Sequence, residues 1–167
     1  MRPEQILVVD DEKRIIESIT SCLTSEGFRV FCAYDGLQAV TLFNTHKFDL
    51  VLMDISMPGM DGYEAMGKML ELDPEILVII MTGFASVTSA VSALKQGAWD
   101  YLKKPFEFAE LIKTVKNGIA QRNLIAEKKL YAARFEASEK KYQYIVDNSP
   151  DWIFTLDEDF CFSFANQ

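Results

Sequence analysis

The stretch Ile6-Leu7-Val8-Val9-Asp10-Asp11-Glu12 is a run of four apolar residues that ends on three acids. The same design returns at Leu50-Val51-Leu52-Met53-Asp54, where four apolar residues again run into a carboxylate. Further continuous apolar runs occupy Phe28–Ala33, Ile76–Met81 and Trp99–Leu102. Short unbroken runs of this kind read as strands buried on both faces, the pattern of a parallel sheet.

Between the runs the period changes. Ile15, Ile16, Ile19, Cys22 and Leu23 recur at helical spacing, as do Leu37, Val40 and Phe43, and then Val87, Ala90, Val91 and Leu94. Gly27 stands where a helix would end, and Asp35-Gly36 where the next would begin. Strand and helix alternate through five βα units, which predicts a doubly wound α/β domain over residues 1–120.

Composition sets the outer limits. The chain has 167 residues, 49% of them apolar and 25% charged, a globular balance with material for one good core. The net charge of -8 disfavours nucleic acid and anionic membranes as partners and favours a protein, a cation or both. The three cysteines, Cys22, Cys32 and Cys161, are odd in number and lack metal-ligand spacing, which points to a reduced compartment. The first apolar stretch is too short for a signal-peptide core, and no apolar run is long enough to span a bilayer. The expected location is therefore the cytoplasm.

In doubly wound sheets, ligands bind beyond the carboxyl ends of the strands. Asp10 and Asp11 follow the first run, Asp54 the third, Thr82 the fourth and Lys104 the fifth. Three carboxylates held close repel one another, and a hard divalent cation with oxygen ligands relieves that repulsion. Mg²⁺ in such a cluster also neutralises a phosphoryl group as it is transferred. Asp54 is then an oxygen nucleophile, with Lys104 and Thr82 as partners for the phosphoryl oxygens.

Each residue alone has a plainer reading. Asp11 could simply cap the next helix, Lys104 could be a solvated lysine, and Thr82 could be a turn residue. Convergence at the ends of four strands argues against all three together. Elsewhere the plain reading stands: His46 is expected exposed, Cys22 and Cys32 in the core, and Asp61 as a turn or helix cap.

ILVVDDE (6–12), LVLMDISMPGMDGYE (50–64), IIMTG (79–83) and AVSALKQGAWDYLKKPF (90–106) resemble, in that order, the receiver domains of bacterial two-component response regulators. The resemblance covers residues 4 to about 120. It implies a flavodoxin-like, five-stranded parallel sheet of order 2-1-3-4-5 with five helices. It also implies that Asp54 is the phosphoacceptor, served by a histidine kinase or a histidine phosphotransfer protein. By the same resemblance Asp10 and Asp11 form the acidic pair, and Asp11 and Asp54 ligate Mg²⁺ with the backbone carbonyl of Ser56. Thr82 and Lys104 match the family's hydroxyl and lysine, Tyr101 its rotamer-switching aromatic, and Lys104-Pro105 a cis bond. Ser56 and Phe84 match two variable positions that tune the phosphate's lifetime. On this basis the domain is not an enzyme beyond its own phosphorylation and dephosphorylation. An aspartate-nucleophile hydrolase of haloacid dehalogenase type is the alternative, although its Asp-x-Asp motif fails here because Glu12 stands two residues after Asp10.

Beyond Phe106 the strand signals stop. Residues 106–146 contain no proline and one glycine, Gly118. Leu124, Tyr131, Phe135, Ser138, Tyr142 and Ile145 follow a rough heptad, interrupted by Lys128, so residues 121–146 read as a helical linker able to pair as a coiled coil in a homodimer. Two strands are expected at Trp152–Leu156 and Phe160–Phe164. YQYIVDNSPDWIFTLDEDFCFSFANQ (142–167) resembles the first strands of a PAS sensor domain, with Asn166 at the family's usual asparagine. The expected plan is a receiver, a linker and an incomplete PAS fragment over 147–167 that leads to an output domain further along a longer chain.

Overall fold

The computed structural model describes residues 2–83, 87–149, 154–156 and 162–165. Five strands, β1 (Gln5–Val9), β2 (Arg29–Ala33), β3 (Leu50–Asp54), β4 (Leu77–Thr82) and β5 (Asp100–Lys103), form one sheet in the order 2-1-3-4-5. Every pairing in it is parallel. Helices α1 (Lys13–Ser25), α2 (Gly36–Thr45), α3 (Gly62–Leu72), α4 (Val87–Lys95) and α5 (Phe108–Asp147) alternate with the strands. The expected α/β architecture and strand order are those of the protein.

Strand alternation divides the core into two layers. Ile6, Val8, Leu50, Leu52, Ile79 and Met81 pack on one face with Ile16, Ile19 and Leu23 of α1 and with Leu111, Val115 and Ile119 of α5. Leu7, Val9, Val51, Met53, Val78 and Ile80 pack on the other with Ala39 and Phe43 of α2 and Met66 and Met69 of α3. The three- and four-residue spacing of each helical set is what one buried stripe requires.

Local signals place the helix ends. Gly27 closes α1 at φ +91°, a left-handed conformation that glycine adopts without a Cβ penalty. Asp35 caps α2 by accepting from the amide of Gln38, and Asp61 caps α3 by accepting from that of Glu64.

Some expectations fail at the margins. β2 and β5 are the edge strands, so Val30, Phe31 and Cys32 are half-buried rather than enclosed. Cys22 is likewise half-buried, because it lies beside the buried stripe of α1 rather than within it. Leu37 is 65% exposed, since Ala39 and Phe43 carry the inward face of α2. His46 is exposed, as expected.

The chain divides into two compact units, Met1–Asn123 and Leu124–Gln167. In the first, α5 is buried at Leu111, Val115, Gly118 and Ile119. Arg122 there donates to the carbonyl of Asp49 at 2.9 Å and lies 3.7 Å from the carboxylate of Asp73. In the second, residues 124–147 of α5 are exposed or half-buried, including Leu124, Tyr131, Phe135, Tyr142 and Ile145. This unit also holds an antiparallel pair, β6 (Phe154–Leu156) and β7 (Phe162–Ala165). The described parts of the two strands expected at Trp152–Leu156 and Phe160–Phe164 are strand, and the second continues to Ala165. Trp152, Phe160 and Asn166 lie outside the described residues.

Candidate functional site

Parallel register builds the site. Val9 of β1 is level with Met53 of β3, so Asp10 and Asp54, one residue further on, come abreast. Asp54 is level with Met81, and Thr82 with Lys103, which carries β4 and the end of β5 to the same edge. Asp10 is fully buried, Asp54 is 4% exposed and Thr82 is 6% exposed. Among the described residues these are the polar or charged side chains in the buried class, and all three stand at one end of the sheet.

Lys104 lies between the carboxylates. Its ammonium donates to Asp10 Oδ2 at 2.5 Å and to Asp54 Oδ1 at 2.7 Å. Its amide donates to the carbonyl of Thr82 at 2.7 Å, and the Lys104-Pro105 bond is cis. Backbone amides take the other carboxylate oxygens. The amide of Glu12 donates to Asp10 Oδ1 and that of Ser56 to Asp54 Oδ2, each at 3.0 Å. Among the described residues no buried side-chain nitrogen or oxygen lacks a partner.

Burial and pairing act against each other here. Loss of hydration on burial raises the pKa of Asp10, and the bonds from Lys104 and the Glu12 amide only partly offset it. Burial alone would lower the pKa of Lys104. Its bonds to Asp10 and Asp54 outweigh that loss, so the pKa is raised and the side chain stays an ammonium.

Carboxylate oxygens of Asp10, Asp11 and Asp54 lie within 4.8 Å of one another. Three carboxylates and one ammonium leave two negative charges, which suits a divalent cation held by hard oxygen ligands. Asp11 is exposed and does not cap α1, whose N-cap position is Glu12 with no side-chain bond. Its competing role as a helix cap is therefore absent.

Tyr101, on the edge strand β5, is 38% exposed. Ser56 enters the site through its amide, a contact that its side-chain type does not announce. The Glu12 amide on Asp10 was equally hidden, because a backbone donor leaves no trace in residue identity. Phe84 lies outside the described residues.

A model of the response regulator receiver domain matches residues 6–116. The chain belongs to this family. The regulatory protein AtoC of Escherichia coli (strain K12) is 37% identical over 147 residues, covering 87% of this chain and 32% of that protein. The transcriptional regulatory protein ZraR of Klebsiella oxytoca is 44% identical over 119 residues, covering 71% of this chain and 27% of that protein. The chain thus spans under a third of the length of these two curated relatives. A CheY-like receiver domain from Methanospirillum hungatei JF-1 superposes with a TM-score of 0.70 at 31% identity, over 73% of this chain and 98% of that one. NtrX from Brucella abortus, solved in complex with ATP, gives a TM-score of 0.73 at 31% identity, over 77% of this chain and 29% of that one.

Membership of the receiver family sets aside the haloacid dehalogenase alternative, in keeping with the missing Asp-x-Asp motif. The family match ends at residue 116 and does not reach the PAS-like stretch. Among the described residues, no helix is long and apolar enough to cross a membrane.

Proposed function

We propose that the receiver accepts a phosphoryl group on Asp54 from a histidine kinase or histidine phosphotransfer protein and relays the change to a downstream domain. The observation that carries this reading is the pairing of one lysine with two buried carboxylates at the strand ends. An oxygen of Asp54 bonds to phosphorus as the bond to the donor breaks, giving an acyl phosphate. Lys104 then exchanges its contact with Asp54 for one with a phosphoryl oxygen, and the Thr82 hydroxyl serves another. Asp10, Asp11, Asp54 and the carbonyl of Ser56 would hold Mg²⁺, which supplies charge neutralisation during transfer. Phosphorylation adds up to two negative charges. Tyr101, partly exposed on β5, is the side chain proposed to turn inward when Thr82 moves. With Mg²⁺ and acetyl phosphate the chain should gain one phosphoryl group by mass spectrometry, and a chain left unlabelled with both present would overturn this reading.

Lifetime of the acyl phosphate follows from what surrounds it. Hydrolysis needs a water in line with phosphorus, and the residues assigned to that approach are Ser56 and Phe84. Neither carries a carboxylate or amide that would orient water. Slow self-dephosphorylation is the expected result. The double variant Ser56→Asn, Phe84→Glu should lose phosphate faster in a time course of phosphoprotein decay, and equal rates would refute the assignment.

The receiver is assigned to residues 1–120, a helical linker to 121–146 and the start of a PAS domain to 147–167. Continuity of α5 from Phe108 to Asp147 supports the linker as the route of the signal, and the antiparallel β6–β7 pair supports a strand-rich start to the next domain. The apolar residues exposed along α5 favour a homodimer joined by a coiled coil. Light scattering should find a dimer for the whole chain and a monomer for a version ending at Asn123. A dimer that survives the truncation would move the interface onto the receiver. The reading is of a cytoplasmic protein. ZraR is named a transcriptional regulator, but the net charge of -8 disfavours direct contact with a phosphate backbone by these 167 residues.

A further inference from the structure

Helices α2 and α3 begin alike. Each has a capping aspartate followed at once by glycine, Asp35-Gly36 and Asp61-Gly62. Neither glycine has a left-handed φ, so the need is for space and not for an unusual dihedral. A Cβ on Gly62 would lie 2.1 Å from the carbonyl oxygen of Asp54 and 2.9 Å from Ile55 Cα. A Cβ on Gly36 would lie 2.6 Å from the carbonyl oxygen of Met60 and 2.9 Å from Met60 Cγ. Both close approaches are to backbone, which cannot swing aside as the end of a side chain can.

The backbone touched is the loop of residues 55–61 that joins β3 to α3. Its first part is held by the Gly62 amide, which donates to the carbonyl of Ile55 at 3.1 Å. Gly59 turns it at φ +80°. Its last part, Met60, rests on the first residue of α2. Ser56 sits within this loop and its amide holds Asp54.

We propose that Gly36 and Gly62 are positioning residues that together set the height of the 55–61 loop, and through it the presentation of Asp54 and the Ser56 carbonyl to a divalent cation. The inference rests on the Mg²⁺ reading above and deepens it. Helix α2 supplies no side chain to the acid cluster. Even so, Gly36 meets the loop at Met60 while Gly62 meets its start at Asp54 and Ile55, so the first residue of α2 acts on a site to which it lends no ligand.

The experiment is calorimetric titration of MgCl₂ into the whole chain, alongside Gly36→Ala and Gly67→Ala, with thermal melting of each in chelator. Gly67 lies inside α3 with nothing within 4 Å of a built Cβ, so it serves as the control. Gly36→Ala should bind Mg²⁺ roughly ten-fold more weakly, the usual scale for a residue that supports a metal ligand. Its melting in chelator should stay within about 4 °C of the parent. Its rate of phosphorylation should recover at saturating Mg²⁺, whereas Gly67→Ala should match the parent in affinity. A folded Gly36→Ala with the parent's affinity overturns the proposal. So does a variant that no longer melts cooperatively, since Gly36 would then support the whole fold and not the loop. A parent that binds no Mg²⁺ would instead sink the cation reading itself.

Discussion

Asp54→Asn is expected to abolish phosphorylation altogether. With Mg²⁺ and acetyl phosphate the parent should gain one phosphoryl group by mass spectrometry, and the variant none. Asparagine keeps the shape of the side chain but replaces the carboxylate with an amide, which is a poor oxygen nucleophile at phosphorus. It also removes one of the three clustered carboxylates, so weaker cation binding is a second route to the same result. Raising Mg²⁺ to saturation separates the two, because restored binding cannot restore the nucleophile. Asp49→Asn is the matched control. Asp49 lies just before β3 at the opposite end of the sheet, where its side chain accepts from the amide of Gln5 at 2.8 Å, and the variant should be labelled like the parent. A phosphoryl group on Asp54→Asn equal to that on the parent would overturn the assignment.

Lys104→Met is expected to cause the largest loss of stability. Methionine keeps an apolar stem of similar length and removes the ammonium. Asp10, fully buried, and Asp54, nearly so, would then face each other without the bonds at 2.5 and 2.7 Å that now offset part of their charge. Removing one partner of a buried ion pair costs about 3–5 kcal/mol. The lower end is expected, because Asp10 can take up a proton: burial already raises its pKa, and loss of Lys104 would raise it further. That gives the sign of the pH dependence. An acid whose pKa is higher folded than unfolded binds more protons in the folded state, so its penalty is largest at high pH and fades as pH falls through the raised value. Urea unfolding in chelator should therefore show a deficit of about 3 kcal/mol near neutral pH that shrinks on acidification. Mg²⁺ should offset part of it by binding only the folded state. Equal stability of variant and parent in chelator would show that the lysine does not stabilise the buried carboxylates.

Much of this protein is written locally. Ile6–Val9 and Leu50–Met53 are enclosed strands because continuous apolar runs can only be satisfied between two layers of helices. Asp35 and Asp61 cap helices because a short acceptor before a helical stripe has an orphan amide within reach. The acids at the strand ends were legible for the same reason: a strand has a direction, and the residue after it lies at its carboxyl end. The edge positions were less legible. Nothing in the Phe28–Ala33 run says that β2 has a neighbour on one side only, so its half-exposure had to come from strand order.

Sequence by itself determined the alternation of elements, the two-layer core and the acids, hydroxyl and lysine at the strand ends, because these depend on period, polarity and chemical type along the chain. Tertiary structure decided what depends on register and distance. It brought Lys104 onto Asp10 and Asp54 across separations of 94 and 50 residues. It turned the amides of Glu12 and Ser56 toward the carboxylates. It also left no free space for a Cβ at Gly36 and Gly62 by laying backbone carbonyls against them. Backbone donors and steric gaps carry no residue signature, so they exist only once the chain has closed on itself.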